Sequence, residues 1–175
     1  SDPAKLAAGR AATQADIDAA WSNPRIFLKF NHQLYHEVRF VRFEFKREAP
    51  AERVEELRQK AEKVRAAAIA AHPETKEAFT DVVVSAAREL GEVVTVQDHA
   101  ATERGTVKDF LDAAMALQRP GDISPVTRTD WGWDVLYLYN IIPEVKLTKE
   151  QATPELRQRI FDESRSQRFL AWVDG

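Results

Sequence analysis

Residues 37–46, EVRFVRFEFK, constrain this chain more than any other stretch. Their period is two: Val41, Phe43 and Phe45 fall on one face, and Val38, Phe40, Arg42 and Glu44 on the other. A strand that is apolar on both sides has to be covered on both sides, so it belongs in the interior of a sheet. A second strand, residues 134–142, is rich in β-branched and aromatic residues and is stopped by Pro143. Between them the period is mostly helical. Residues 51–71 place Val54, Leu57, Ala61, Val64 and Ala68 in a narrow stripe that His72-Pro73 ends, and the charged face of this helix is expected to be solvated. Residues 74–90 set Phe79, Val82, Val83 and Ala86 on one face before Gly91. A further helix carries Val107, Phe110, Leu111, Ala114, Met115 and Leu117 and stops at Pro120-Gly121. Residues 93–97 read as a short strand, 98–105 as a polar loop holding a solvated His99, and 124–129 as an extended crossing segment.

Both ends of the chain read as helix. Thr13-Gln-Ala-Asp16 is a capping box that puts Ile17, Ala20 and Trp21 on one face, and after Asn23-Pro24 the spacing of Phe27, Phe30, Leu34 and Tyr35 predicts a second helix. Near the other end Thr153, with Pro154 at the first helical position, opens a helix bearing Leu156, Ile160, Phe161, Phe169 and Trp172. These apolar faces have nothing else obvious to cover, so the flanking helices are expected to pack on each other. The order of elements gives an α+β class with a small mixed or antiparallel sheet.

Composition narrows the function classes. With 25 Lys+Arg against 28 Asp+Glu and no basic tract, the chain lacks the electrostatic footprint of a nucleic-acid binder. No apolar run approaches the ~20 residues of a membrane span, although an anchor or leader upstream of Ser1 stays open. Zero cysteines remove disulfides and thiol catalysis and suit oxidising and reducing compartments alike. His32, His36, His72 and His99 show no metal-ligand spacing, so no metal site is expected; with no glycine-rich phosphate loop and no nucleophile elbow, no cofactor is either.

Three blocks occur in order: Phe110-Leu-Asp-Ala-Ala-Met-Ala-Leu117, Pro120-Gly-Asp-Ile-Ser-Pro-Val126 and Thr129-Asp-Trp-Gly-Trp-Asp-Val-Leu136. Together they resemble the C-terminal half of parvulin-type (rotamase) peptidyl-prolyl isomerases, whose pattern runs F-x-D-A-x-F-x-L, G-E-[IV]-S-x-P-V, T-x-x-G-[FWY]-H-[IV]-[IL]. Val38-Arg-Phe-Val-Arg42-Phe sits where that family has a V-R-x-x-H-I strand, and Phe79 opens a segment like its F-x-x-L-A helix. The resemblance implies a parvulin-like domain over residues 37–143, flanked by helices at 1–36 and 144–175 like those that cradle unfolded chains in exported bacterial foldases.

The same alignment shows departures. Two histidines lie on the floor of the family's site; Arg42 and Asp134 take their places. A third position, Cys or Asp in the family, falls near Glu89, and the pocket methionine becomes Thr106. Phe110 matches the pocket phenylalanine, with Met115 and Leu117 beside it and Trp131 on the rim; by spacing alone Phe110, Met115 and Leu117 read as core. Trp131 and Trp133 alternate about Gly132, so one should be buried and the other exposed.

Rotation about an X-Pro bond meets a barrier of about 18–20 kcal/mol set by amide resonance, and no proton has to move. Gripping the ring and stabilising a twisted amide suffices, so the histidines would order the floor rather than act as a base. Arg42 and Asp134 could do the same as an ion pair across adjacent strands, or both could reach solvent at a sheet edge. Three functions follow: a parvulin-like domain that binds proline-containing or unfolded polypeptide with weak or lost isomerase activity; an active isomerase; or a non-catalytic assembly module. The resemblance further implies the bacterial cell envelope or secretion, and the flanking helices offer a route to a homo-oligomer.

Overall fold

The structure is a computed structural model and describes residues 9–175; the first eight residues, part of the 1–36 flank, lie outside the described residues. Two compact units form: Leu34–Pro143, and the chain before it together with Glu144–Gly175.

The Leu34–Pro143 unit is built on a four-stranded sheet of β2 (Tyr35–Glu44), β3 (Thr95–Ala101), β4 (Thr127–Thr129) and β5 (Gly132–Ile142), in the order β3-β2-β5-β4 and antiparallel throughout. The run that reads as apolar on both sides, β2, is interior as expected, and β5 is the other interior strand. Helices α3 (Ala51–Ala71) and α4 (Lys76–Glu89) cover one face, where Leu57, Ala61, Val64, Phe79 and Val83 meet Val41, Phe43, Val135 and Tyr137. Phe79 stacks on Tyr137 at 5.0 Å, and the Tyr137 hydroxyl donates to the Pro73 carbonyl at 2.9 Å. Helix α5 (Lys108–Ala116) covers the other face, closing Phe110, Ala114 and the following Leu117 over Val38, Phe40, Leu136 and Leu138. His72 stops α3 in the left-handed region, at φ 47°, directly before Pro73.

Strand β3 runs on through Ala101, where a polar loop from Asp98 was expected. Its polar residues are those of an edge strand with partners across the ladder: Asp98 stands opposite Arg39 and accepts its Nε and Nη2 at 2.7 and 3.0 Å, while Lys76 adds a third bond at 2.8 Å. Only glycine fits at 132, where a Cβ would run into the backbone carbonyl of Phe43 on β2.

The second unit holds α1 (Gln14–Ser22), α2 (Pro24–Phe30), β1 (Asn31–His32), β6 (Val145–Lys146) and α6 (Lys149–Asp174), with β1 and β6 antiparallel. Ile17, Phe30, Ala152 and Leu156 form its core. The Thr13–Asp16 capping box is made in full. Helix α2 does not reach Leu34 and Tyr35: the chain turns extended at Asn31 to pair with Lys146, and Tyr35 begins β2. Helix α6 starts at a Thr148 cap, five residues before the expected Thr153, because Thr148 and Gln151 satisfy each other's backbone amides; Pro154 then lies inside the helix. Its last turns leave Phe169, Leu170, Trp172 and Val173 exposed. Among the described residues no helix is long and apolar enough to cross a membrane.

Candidate functional site

The β2–β5 register sets Arg42 directly opposite Asp134. Arg42 Nε and Nη2 donate to the two carboxylate oxygens at 2.7 and 2.8 Å, the fork-on-fork geometry of the strongest ion pairs. Asp134 is fully buried and the Arg42 side chain is 14% exposed. Both strands are interior, so neither side chain finds a sheet edge. The guanidinium lies over the Phe40 ring at 4.6 Å and the Trp131 ring at 5.0 Å, which places a cation between two aromatic faces. Burial pushes the Asp134 carboxyl above the ordinary aspartate range, against the opposing pull of Arg42 and Thr129.

Phe110 anchors a second cluster. Its ring meets Phe40 edge-on at 5.4 Å and His99 edge-on at 5.2 Å, and the residue is only 3% exposed. Thr106, at the head of α5, accepts the Thr102 amide at 3.1 Å and stands 2.9 Å from His99 Nε2. Burial, and then the Arg42 charge, hold the His99 imidazole below the ordinary histidine range. Leu117 is buried in the core under α5, whereas Met115 projects outward at 38% exposure. Trp131 is 48% exposed, while Trp133 is half-buried and donates its indole N–H to the Val54 carbonyl. Glu89 ends α4, the helix on the opposite face from Arg42, and is exposed.

Arg42, Asp134 and Trp131 thus form one cluster, Phe110, Thr106 and His99 another, and Phe40 touches both. Glu89 and Met115 join neither. Two members, Phe40 and His99, were not singled out as site residues from the sequence. For Phe40 the signal was present, since the period of two puts it on the Arg42 face; His99 would have needed β3 extended through the polar residues around it. Among the described residues no group of three or more His, Asp or Glu is placed to hold a metal ion.

No protein-family model matches the chain. The Azotobacter vinelandii protein "Putative peptidyl-prolyl cis-trans isomerase NifM" is 37% identical over 71 residues, which cover 41% of this chain and 21% of that protein. Over those 71 residues the chain is similar to a putative peptidyl-prolyl isomerase. The chain spans about a fifth of that relative's length. Among solved structures, one of the SurA-like chaperones of Campylobacter jejuni is 14% identical with a TM-score of 0.40, covering 98% of this chain and 63% of that one. The peptidylprolyl isomerase PrsA of Bacillus cereus is 15% identical at a TM-score of 0.34, covering 87% and 51%. Both global likenesses are loose.

Proposed function

We propose that residues 37–143 are a parvulin-like domain of a foldase or chaperone that binds proline-containing or unfolded polypeptide, with isomerase activity weak or lost. One observation carries the reading: the floor positions hold a closed Arg42–Asp134 pair under Trp131, and the pocket phenylalanine, Phe110, is sealed by Phe40 and His99. A sealed ring grips a proline less well than an open one, and catalysis by differential binding falls with the grip. Trp131 remains on the surface as the aromatic contact for a peptide. In this reading Arg42 and Asp134 order the floor, Thr106 and Trp131 meet the peptide, Phe110 meets it only where Phe40 and His99 give way, Leu117 supports Phe110 from the core, and Glu89 and Met115 take part only at the margin.

A protease-coupled isomerisation assay on a panel of X-Pro peptides tests it. Rates near the uncatalysed one for every preceding residue are expected, together with measurable peptide binding that Phe110→Ala weakens. A clear catalysed rate would favour the active isomerase, a reading supported by the order that the ion pair keeps in the floor. No binding at all would favour an assembly module. We place the protein in the bacterial envelope or outside the cell on the strength of the parvulin resemblance, which cell fractionation checks. Exposed Phe169, Leu170, Trp172 and Val173 support a role for the flanking helices in holding a polypeptide or a second copy.

A further inference from the structure

His99 does three things at once. It stands opposite Val38 in the β2–β3 ladder, so it shares the face that carries Phe40 and Phe110; its ring packs on Phe110; and its Nε2 meets the Thr106 hydroxyl. That hydroxyl favours one tautomer. Thr106 Oγ1 already accepts the Thr102 N–H, and the arrangement that uses every group has it give its own proton to His99 Nε2, 2.9 Å away. An imidazole that accepts at Nε2 and stays neutral carries its proton on Nδ1. Among the described residues that Nδ1 has no partner, and it is not one of the atoms sealed from solvent. Arg42 commits Nε and Nη2 to Asp134, and Thr106 commits its hydroxyl to His99. An oriented donor is therefore left open on a half-buried ring against the pocket phenylalanine.

We propose that the Nδ1–H of His99 holds a main-chain carbonyl of an extended polypeptide lying over the His99 ring that covers Phe110, an assignment that rests on the peptide-binding reading above. Thr106 is a positioning residue: by donating to Nε2 it sets the tautomer and turns the free proton outward. The ligand class is a peptide backbone, because a neutral N–H selects a neutral carbonyl, and the apolar rings beside it suit a side chain without charge.

Two substitutions separate binding from support. In His99→Gln the side-chain amide can still reach Thr106 from the Nε2 position but supplies no donor at Nδ1; in His99→Asn the amide nitrogen stands near Nδ1 and the Thr106 contact is lost. The full 175-residue chain is titrated with succinyl-Ala-Ala-Pro-Phe and followed by amide chemical shifts, with melting temperatures confirming that each variant is folded. The expected result is binding about 3- to 10-fold weaker for His99→Gln, the worth of one neutral hydrogen bond, with His99→Asn closer to the wild type. Wild-type binding that His99→Gln leaves unchanged, or that His99→Asn weakens more, overturns the assignment and leaves the peptide-binding reading standing. A wild-type chain that does not bind the peptide overturns both.

Discussion

Replacing Arg42 by Met removes the cation and nearly keeps the volume, leaving the fully buried Asp134 carboxylate with Thr129 Oγ1, at 3.4 Å, as its remaining side-chain donor. Breaking one side of a buried pair typically costs ~3–5 kcal/mol. A ceiling follows from the alternative open to the carboxylate, which is to take up a proton. Relative to an unfolded aspartate near pKa ~3.9, carrying that proton at pH 7 costs about 1.4 kcal/mol for each of roughly three pH units, or ~4 kcal/mol. The guanidinium's stacking on Phe40 and Trp131 adds ~0.5–1 kcal/mol. A loss of about 4 kcal/mol at pH 7 is expected. It would be read from urea unfolding followed by tryptophan fluorescence.

The pH dependence has a definite sign. In the variant the folded-state pKa of Asp134 lies well above the unfolded one, so its contribution is fullest below the unfolded pKa and is lost as pH rises through the folded one. The gap to the wild type therefore shrinks by about 1.4 kcal/mol per pH unit on the way from 7 to 5. Adding Asp134→Asn to the variant should recover most of the loss at pH 7. A loss under ~1 kcal/mol at pH 7, or the same loss at pH 5 and 7, would refute the account of a desolvated, mutually dependent pair.

Gly132→Ala should lower stability by ~2 kcal/mol or more, because the new methyl meets the Phe43 backbone carbonyl rather than a side chain that could turn away; a thermal melt reads it. Glu92 bonds Arg53 at 2.7 and 3.0 Å and Lys60 at 2.8 Å, and Arg53 above all holds its carboxyl down at about 2. That stabilisation is present above the ordinary glutamate range and disappears as pH falls toward 2, so Glu92→Gln should cost ~1–2 kcal/mol at pH 7 and little at pH 2 by urea titration. Thr148→Ala should remove the α6 cap and cost about 1 kcal/mol, visible in denaturation followed by circular dichroism.

Elements whose pattern is written in their own residues were legible from the sequence. The double apolar alternation of β2, the Leu57–Ala61–Val64–Ala68 stripe and the Phe110–Ala114 face each specify an element and the side it buries. Features set by a neighbour were not. The polar half of β3 is a strand because Arg39 and Lys76 satisfy Asp98, and those partners lie 59 and 22 residues away. The α6 start went to Thr148 over Thr153 because a reciprocal pair of side-chain caps outweighs a proline at the first position. Arg42 and Asp134 drew notice only through the parvulin resemblance, and their bond depends on a register across 92 residues. His99 looked like a solvated loop residue until the strand that carries it and the helix it leans on were both in place.

The way the chain passes between its two units bears on how it reaches this structure. Tyr35 and Ile142 are cross-strand partners near the two boundaries of the Leu34–Pro143 unit, and Asn31 and Lys146 are partners in the other unit. The inserted unit is continuous in sequence, whereas the host unit is split and must bring together segments separated by about 110 residues, an expensive loop to close in a disordered chain. Once the insert has formed, its own ladder holds those ends side by side and that cost has already been met. Folding should thus be ordered, with the flanking helices assembling last, and a destabilised insert such as the Arg42→Met variant should delay the assembly of helices that contain none of its residues.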